Sequence, residues 1–222
     1  VSAAVLVGFQ DGGVIQFDHG RVLSSYSTTE GLGGGRVNSL RIGRDRAVWA
    51  STEGGLSRVN GGHVATLTSR DGLPCEGVHW SIEDDAHSDW LFMPCGLVRV
   101  AVADLEAWAS SAENGKGPAP AVPTTVFDAS DGVASLATAL GYSPQVTKAV
   151  DGRIWFTSNE YGASVLDPRR LPFNAIPPPV HVERIVADRK DYELSDGHGA
   201  VRLPALTRDL QIDYTALSLV AP

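Results

Sequence analysis

The 222-residue sequence predicts an all-β chain, in which a partial, open β-propeller precedes the first strands of an immunoglobulin-like (Ig-like) β-sandwich. A unit of about 41 residues recurs along the chain, a period typical of the four short strands of a propeller blade. Turn-forming residues are abundant, with 24 Gly and 13 Pro, which is too many for a helical bundle. These observations predict about three and a half four-stranded blades.

Three segments repeat one order of features. Each has an acidic residue followed by Gly and then Leu or Val, an alternating strand, an Asp-containing turn, a Trp-led strand and a Gly-led strand. The segments are 28–64, 69–100 and 128–167. Asp and Gly suit the turns because they accept the left-handed backbone angles that tight hairpins need. In the first complete unit, this order predicts strands near 37–43, 47–52, 55–60 and 63–68.

A tryptophan marks the second strand of each unit. Trp49 and Trp90 are 41 residues apart, whereas Trp90 and Trp155 are 65 apart because an insertion of about 24 residues lies around 103–123. The insertion begins as a short helical pattern and continues as a Pro/Ala/Gly linker. We expect the three indoles to pack as wedges between adjacent blades.

The predicted domain boundaries follow from the repeat and from the Pro run after it. Alternating segments at 181–188, 192–194, 200–204 and 209–219 predict strands of a β-sandwich that is incomplete at this length. The N-terminal segment matches the back half of a unit, so its blade lacks a first strand. The domains are a propeller over 1–172 (blades about 1–27, 28–68, 69–127 and 128–172), a Pro-rich linker over 173–179 and a sandwich opening over 180–222.

Charge and hydropathy exclude some classes of partner. The 18 basic and 26 acidic residues give a net charge of −8, which argues against a nucleic-acid partner. No apolar run approaches the roughly 18–20 residues of a transmembrane helix. We predict no cofactor and no metal.

Two stretches of sequence resemble known families. The stretch GLGGGRVNSLRIGRDRAVWASTEGGLSRV (31–59) resembles the two-component regulator propeller repeat. The tail, with PPPVHVERIVAD and VRLPALTRDLQIDYTALSLVAP, resembles the start of the triple-tyrosine (Y_Y_Y) domain that follows such propellers. The order of propeller repeats, Pro linker and sandwich opening is more specific than either stretch alone.

The resemblance implies the periplasmic, ligand-sensing region of a two-component signal-transduction receptor. In that family, the receptor is a membrane-bound histidine kinase, often a hybrid one, and known ligands tend to be carbohydrates. Complete sensors have one or two full rings of about seven blades, and only Tyr214 matches a tyrosine position of the sandwich. The chain is therefore expected to be a segment of a longer protein, membrane-anchored and dimeric, whose kinase chemistry lies elsewhere.

Seven residues are candidates for contact with a small-molecule or oligosaccharide ligand. Equivalent loops between second and third strands project towards one face of a propeller, where polar groups beside an aromatic ring suit a sugar. The starts of the first strands lie near the same face. The alternative is that these are ordinary exposed loop residues. The candidates are Asp11, Glu53, Glu160 and Tyr161 in the loops, and Arg36, His79 and Trp80 at the strand starts.

The two cysteines permit one disulfide. Cys75 lies in the loop that enters a first strand, and Cys95 lies between the second and third strands of the same blade. Both loops emerge on one face of a propeller, so the sulfurs could approach bonding distance, and a periplasmic location would permit oxidation. The alternative is two independent buried small residues.

The sequence contains no motif that identifies an enzyme. Nucleophile-elbow, HExxH, P-loop and dinucleotide-binding motifs are missing, so we predict no catalytic residues. The acid-rich stretch 79–89 is either a metal site or, as we expect, a solvated turn. Two other functions stay open: a carbohydrate-active propeller lyase or hydrolase with Glu53 and Glu160 as acid and base, and a purely structural interaction module.

Overall fold

The computed structural model describes residues 4–114, 119–134, 144–158, 162–171, 180–192 and 201–216. The chain divides into two compact units, residues 1–171 and 172–222. The described residues form antiparallel sheets with few helical segments, which confirms the predicted all-β class. The predicted blade and linker boundaries stay predictions.

The described residues of the first unit form four sheets in chain order. Sheet I comprises β1 (Val5–Gly8), β2 (Val14–Asp18) and β3 (Arg21–Tyr26), and sheet II comprises β4 (Val37–Ile42), β5 (Val48–Thr52), β6 (Gly55–Asn60) and β7 (His63–Leu67). Sheet III comprises β8 (Trp80–Glu83), β9 (Ser88–Met93), β10 (Gly96–Ala101) and β11 (Thr124–Phe127), with helix α1 (Val102–Asn114) inserted before β11. Sheet IV comprises β12 (Val146–Lys148), β13 (Ile154–Ser158) and β14 (Gly162–Leu166).

Neighbouring sheets of this unit pack face to face. Strand β4 contacts β8, and β8 contacts β12, so the first strands of sheets II, III and IV meet in order, and β1 of sheet I contacts β4. A separate cluster of buried apolar side chains fills each of the three interfaces. Trp49 is buried between sheets II and III and Trp90 between sheets III and IV, as the wedge prediction requires, whereas Trp155 is 40% exposed.

Capping boxes join one sheet to the next and explain the repeated acid–Gly–Leu/Val signature. Between sheets II and III, a short 3-10 turn at Ser69–Asp71 has Thr68 as its N-cap, and the Asp71 carboxylate accepts hydrogen bonds from the Thr68 N–H (3.0 Å) and hydroxyl (2.8 Å). Gly72 then adopts a left-handed φ of 115°, and Leu73 enters the core. The same turn recurs with N-caps Ser27 and Asp128.

The insertion forms a 13-residue helix that contacts β7 and β10. Its Trp108 is buried in the cluster between sheets II and III, so the insertion extends that core. No helix among the described residues has the length and apolarity to cross a membrane.

The second unit contains sheet V, in which β15 (Val180–Ala187) lies between β16 (Lys190–Tyr192) and β17 (Leu210–Ala216). The prediction of a strand over 200–204 was wrong for its described part, 201–204, which is not in a strand. Strand β16 begins at Lys190, two residues before the predicted strand 192–194, because Asp188 and Arg189 both have positive φ and complete a tight two-residue hairpin.

Candidate functional site

Two predicted ligand residues, Arg36 and Glu53, lie against each other at the end of sheet II. The Glu53 N–H donates to the Arg36 carbonyl (3.1 Å), and the Arg36 N–H donates to Glu53 Oε2 (3.2 Å). Gly35 has a φ of 75°, and a side chain there would overlap the Glu53 carboxylate. The glycine-rich stretch therefore makes room for Glu53 to cap the backbone that leads into β4.

The loop that carries Asp11 adjoins the same region. The Val37 N–H donates to the Phe9 carbonyl (3.0 Å), and Gly12 packs beside the backbone of Gly35. Asp11 itself is exposed. The structure thus brings together the loops that carry Asp11, Arg36 and Glu53, whereas Glu160 and Tyr161 lie outside the described residues.

The Arg36 side chain is half-buried, and its buried Nε has no hydrogen-bond partner within the described part of the chain. A buried donor without an acceptor is costly and is usually satisfied by water or a ligand. Arg36 therefore has an unmet hydrogen-bonding need beside Glu53.

His79 and Trp80 occupy a different environment. The His79 ring packs against Phe92 with centroids 5.6 Å apart, and Trp80 stacks on Phe92 at 5.4 Å and tilts against Phe156 at 5.3 Å. Trp80 has no exposed surface, and His79 is 4% exposed. Both side chains contribute to the interface between sheets III and IV, and a direct ligand contact for either stays a prediction.

Cys75 and Cys95 form a disulfide with sulfur atoms 2.06 Å apart. Its loop is joined to the Glu53 loop, because the Val78 N–H donates to the Thr52 carbonyl (2.8 Å) and Gly77 packs near the Glu53 carbonyl. The disulfide thereby ties the loop that enters β8 to the loop between β9 and β10, beside the Arg36–Glu53 pair.

The acid-rich stretch 79–89 is neither a recognisable metal site nor a simple solvated turn. No group of three or more His, Cys, Asp or Glu residues within the described ranges could hold a metal. Asp84 is buried and accepts hydrogen bonds from the Trp90 indole (2.8 Å) and from the Ser88 N–H (2.9 Å). The exposed His87 ring lies 2.7 Å from Arg44, on the neighbouring sheet.

Sequence reasoning missed the buried pair of Asp89 and Arg41. Asp89 is fully buried and pairs with Arg41 across the interface between sheets II and III. Burial raises the pKa of Asp89 to about 6, and the Arg41 charge opposes that rise. The repeat gave no signal for Asp89, because the residue before the marker tryptophan is Val48 in sheet II and Ile154 in sheet IV.

No protein-family model matches the sequence, and no curated protein matches it. The solved structures that are similar in fold include two extracellular domains. One is the extracellular domain of BT3049 from B. thetaiotaomicron, described as a hybrid two-component system, with a TM-score of 0.59 and 18% identity over 87% of this chain and 25% of that chain. The other is the extracellular domain of BT4673 from B. thetaiotaomicron, described as a one-component system, with a TM-score of 0.52 and 14% identity over 76% of this chain and 23% of that chain.

The chain spans about a quarter of the length of these two structures. At identities of 18% and 14%, the similarity concerns the fold and carries no residue roles. The chain therefore shares the fold of a part of two extracellular domains of signalling proteins.

Proposed function

We propose that the chain is part of the extracytoplasmic, ligand-sensing region of a two-component signal-transduction receptor. The observation that carries the proposal is the fold similarity to the extracellular domains of two signalling systems. In this proposal the whole receptor is anchored in the bacterial inner membrane and dimeric, and the chain lies in the periplasm and senses a ligand without catalysis.

In this proposal sheets I–IV are successive blades of a β-propeller, and sheet V opens an Ig-like sandwich of the triple-tyrosine type. The sequential contacts of β4, β8 and β12 support the first part, because the first strands of successive blades lie side by side around the central channel of a propeller. The recurring Trp wedge and the capping boxes support it further, since they repeat the same inter-sheet joint.

The loops that carry Asp11, Arg36 and Glu53 are the proposed ligand-binding face. They present exposed carboxylates beside a guanidinium whose buried Nε lacks an acceptor among the described residues. Such a mixture of donors and acceptors suits the hydroxyl groups of a carbohydrate. Glu160 and Tyr161, the other predicted loop contacts, follow β13 in the sequence and lie outside the described residues. Binding would act by stabilising one of two receptor states over the other.

The experiment that tests this function is a thermal-shift screen of the chain against a panel of oligosaccharides. A true ligand at about 100 times its dissociation constant stabilises the folded state by about 2.7 kcal/mol. We expect Arg36→Ala to abolish the shift and Arg21→Ala to preserve it, because Arg21 is an exposed residue of β3 at the opposite end of the strands.

The same samples separate the alternatives. Chromatography of the sugars after incubation detects any cleavage. Turnover that is lost in Glu53→Gln would indicate a carbohydrate-active enzyme and contradict the sensor function. A panel in which no sugar shifts the melting temperature would favour the interaction module.

A further inference from the structure

In sheets II and III, a tryptophan of the second strand lies opposite an arginine of the third. Trp49 pairs with Arg58 and Trp90 with Arg99. The guanidinium carbons lie 5.9 and 5.8 Å from the indole centroids, so each pair forms a cation–π stack. Each arginine is the third residue after the glycine that opens its strand. This stack helps to fill the interface with the following sheet.

Sheet I breaks this pattern. The third residue after its glycine, Gly13, is Gln16, and the residue opposite Gln16 is Leu6. Leu6 and Gln16 therefore occupy the positions of the tryptophan and the arginine. An isobutyl group is smaller than an indole, and an amide does not provide a cation to stack on it. The interface between sheets I and II is consequently underfilled at this point.

A cleft is present where the stack is missing. Its volume is about 130 Å³, and part of it is open to solvent. This volume is below that of sites for drug-sized ligands, roughly 300–1,000 Å³, so the cleft suits only a compact ligand. Apolar side chains from both sheets line it, together with the polar groups of Gln16 and Tyr26; the apolar residues are Leu6, Val14, Val48 and Val59.

Arg46 lines the same cleft, and its guanidinium has no hydrogen bond or ion pair within the described ranges. Arg46 adopts a left-handed φ of 66° in the turn between β4 and β5, where the equivalent residue of sheet IV is Gly152 with a φ of 83°. An arginine therefore occupies a backbone position that glycine adopts at no steric cost.

The neighbouring interface provides a contrast. The cleft between sheets II and III has Trp49 in its wall, and its two arginines are already paired. Arg44 pairs with Glu83 at 2.9 Å, and Arg41 pairs with Asp89. An anion would have to compete with these carboxylates there, whereas Arg46 has no carboxylate partner among the described residues.

We propose that the cleft between sheets I and II binds a planar aromatic carboxylate. The aromatic ring takes the place that an indole occupies in the next interface, and the carboxylate pairs with Arg46. The amide of Gln16 is in place to bond a ring nitrogen or the carboxylate. Turns of an antiparallel sheet alternate between its ends, so Arg46, in the turn between β4 and β5, lies at the opposite end of sheet II from Glu53.

Isothermal titration of the 222-residue chain with indole-3-acetate tests the proposal. We expect saturable binding that Leu6→Trp weakens by at least about tenfold, because the new indole fills the cleft. The matched control is Val7→Trp, which places the same side chain at the adjacent, 37% exposed position of β1. We expect it to change the affinity by less than about twofold.

Arg46→Gly tests the charge pair without disturbing the turn, since glycine accepts the left-handed angle. We expect it to weaken indole-3-acetate by about tenfold and to leave the affinity for uncharged indole unchanged. Lack of binding to the parent chain, equal binding to Leu6→Trp, or an equal effect of Arg46→Gly on both ligands would each overturn the proposal. If Leu6→Trp does not fold, the effects of Arg46→Gly on the affinities for indole-3-acetate and for indole decide whether the proposal holds.

Discussion

The guanidinium of Arg41 on sheet II pairs with the carboxylate of Asp89 on sheet III. The Asp89 side chain is completely buried, and its Oδ1 has no hydrogen-bond partner in the described part of the chain. Arg41 also donates to the Ser81 hydroxyl (2.8 Å) and lies 5.3 Å from the Trp49 ring centroid. One charge pair thus joins two sheets inside a largely apolar interface.

The buried carboxylate predicts a pH-dependent stability. Burial raises the pKa of Asp89 from 3.8 to about 6, so the folded chain binds this proton more tightly than the unfolded chain. Its contribution to the free energy of unfolding is therefore fully present below pH 3.8 and is lost as the pH rises through about 6. We expect Asp89→Asn to gain about 2 kcal/mol in free energy of unfolding relative to the parent chain between pH 4 and pH 7, measured by urea unfolding.

Asp85 is the matched control, because its contribution to the free energy of unfolding should change with pH in the opposite direction. Its hydrogen bond with Lys148 (2.7 Å) lowers the pKa of this exposed carboxyl. Asp85 therefore stabilises the folded chain above its ordinary pKa and loses that contribution as the pH falls. A larger loss for Asp85→Asn at pH 4 than at pH 7, or a pH-independent effect of Asp89→Asn, would refute this assignment.

Gly72 is expected to tolerate no side chain. It has a φ of 115°, and a Cβ there would overlap the backbone of Val122, which packs against the turn between sheets II and III. We expect Gly72→Ala to lower the free energy of unfolding by more than about 2 kcal/mol. Gly61→Ala, with a φ of 56° and no atom within 4 Å, should cost only about 1 kcal/mol. Equal losses of free energy of unfolding for Gly72→Ala and Gly61→Ala would argue against the close approach of Gly72 to the Val122 backbone.

The hydrogen bond between Trp90 and Asp84 predicts that a phenyl ring cannot replace this indole. Trp90→Phe removes the donor to a carboxylate that is 1% exposed and leaves a space in the core. We expect a loss of about 2–4 kcal/mol in urea unfolding. Trp155→Phe, at the equivalent but 40% exposed position, should cost less than about 1 kcal/mol. A larger loss for Trp155→Phe than for Trp90→Phe would contradict the finding that Trp90 is the more buried of the two indoles.

The disulfide should contribute strongly to stability, because it closes a loop with a sequence separation of 20 residues. Such a crosslink stabilises a folded chain by about 3 kcal/mol. We expect the double substitution of Cys75 and Cys95 by Ser to lower the melting temperature, and a reductant to lower that of the parent chain equally. If neither treatment changes the melting temperature, the crosslink is not formed in solution.

The sequence predicts what is local and repeated. The strands predicted near 37–43, 47–52, 55–60 and 63–68 agree with β4–β7 to within one residue at each end, because alternation and turn glycines act over a few residues. The acid–Gly–Leu/Val signature likewise marks the capping turns that join the sheets.

The sequence does not predict features that occur in only one of the repeated units. Arg41 and Asp89 are 48 residues apart, and no other unit indicates that the acid is buried. The position of Leu6 is informative only once strand pairing shows that it is the counterpart of Trp49. For the candidate face, pattern reasoning located Arg36 and Glu53, but not their backbone hydrogen bonds.

Hydrogen exchange of the chain with and without the best oligosaccharide of the thermal-shift screen most directly tests ligand sensing at the proposed face. We expect slower exchange in 9–13, 33–37 and 53–54, the loops that carry Asp11, Arg36 and Glu53, and no slowing in the turn 43–47 at the other end of the sheet. Slowing confined to 43–47 or to residues 180–216, with none in the three loops, would contradict it.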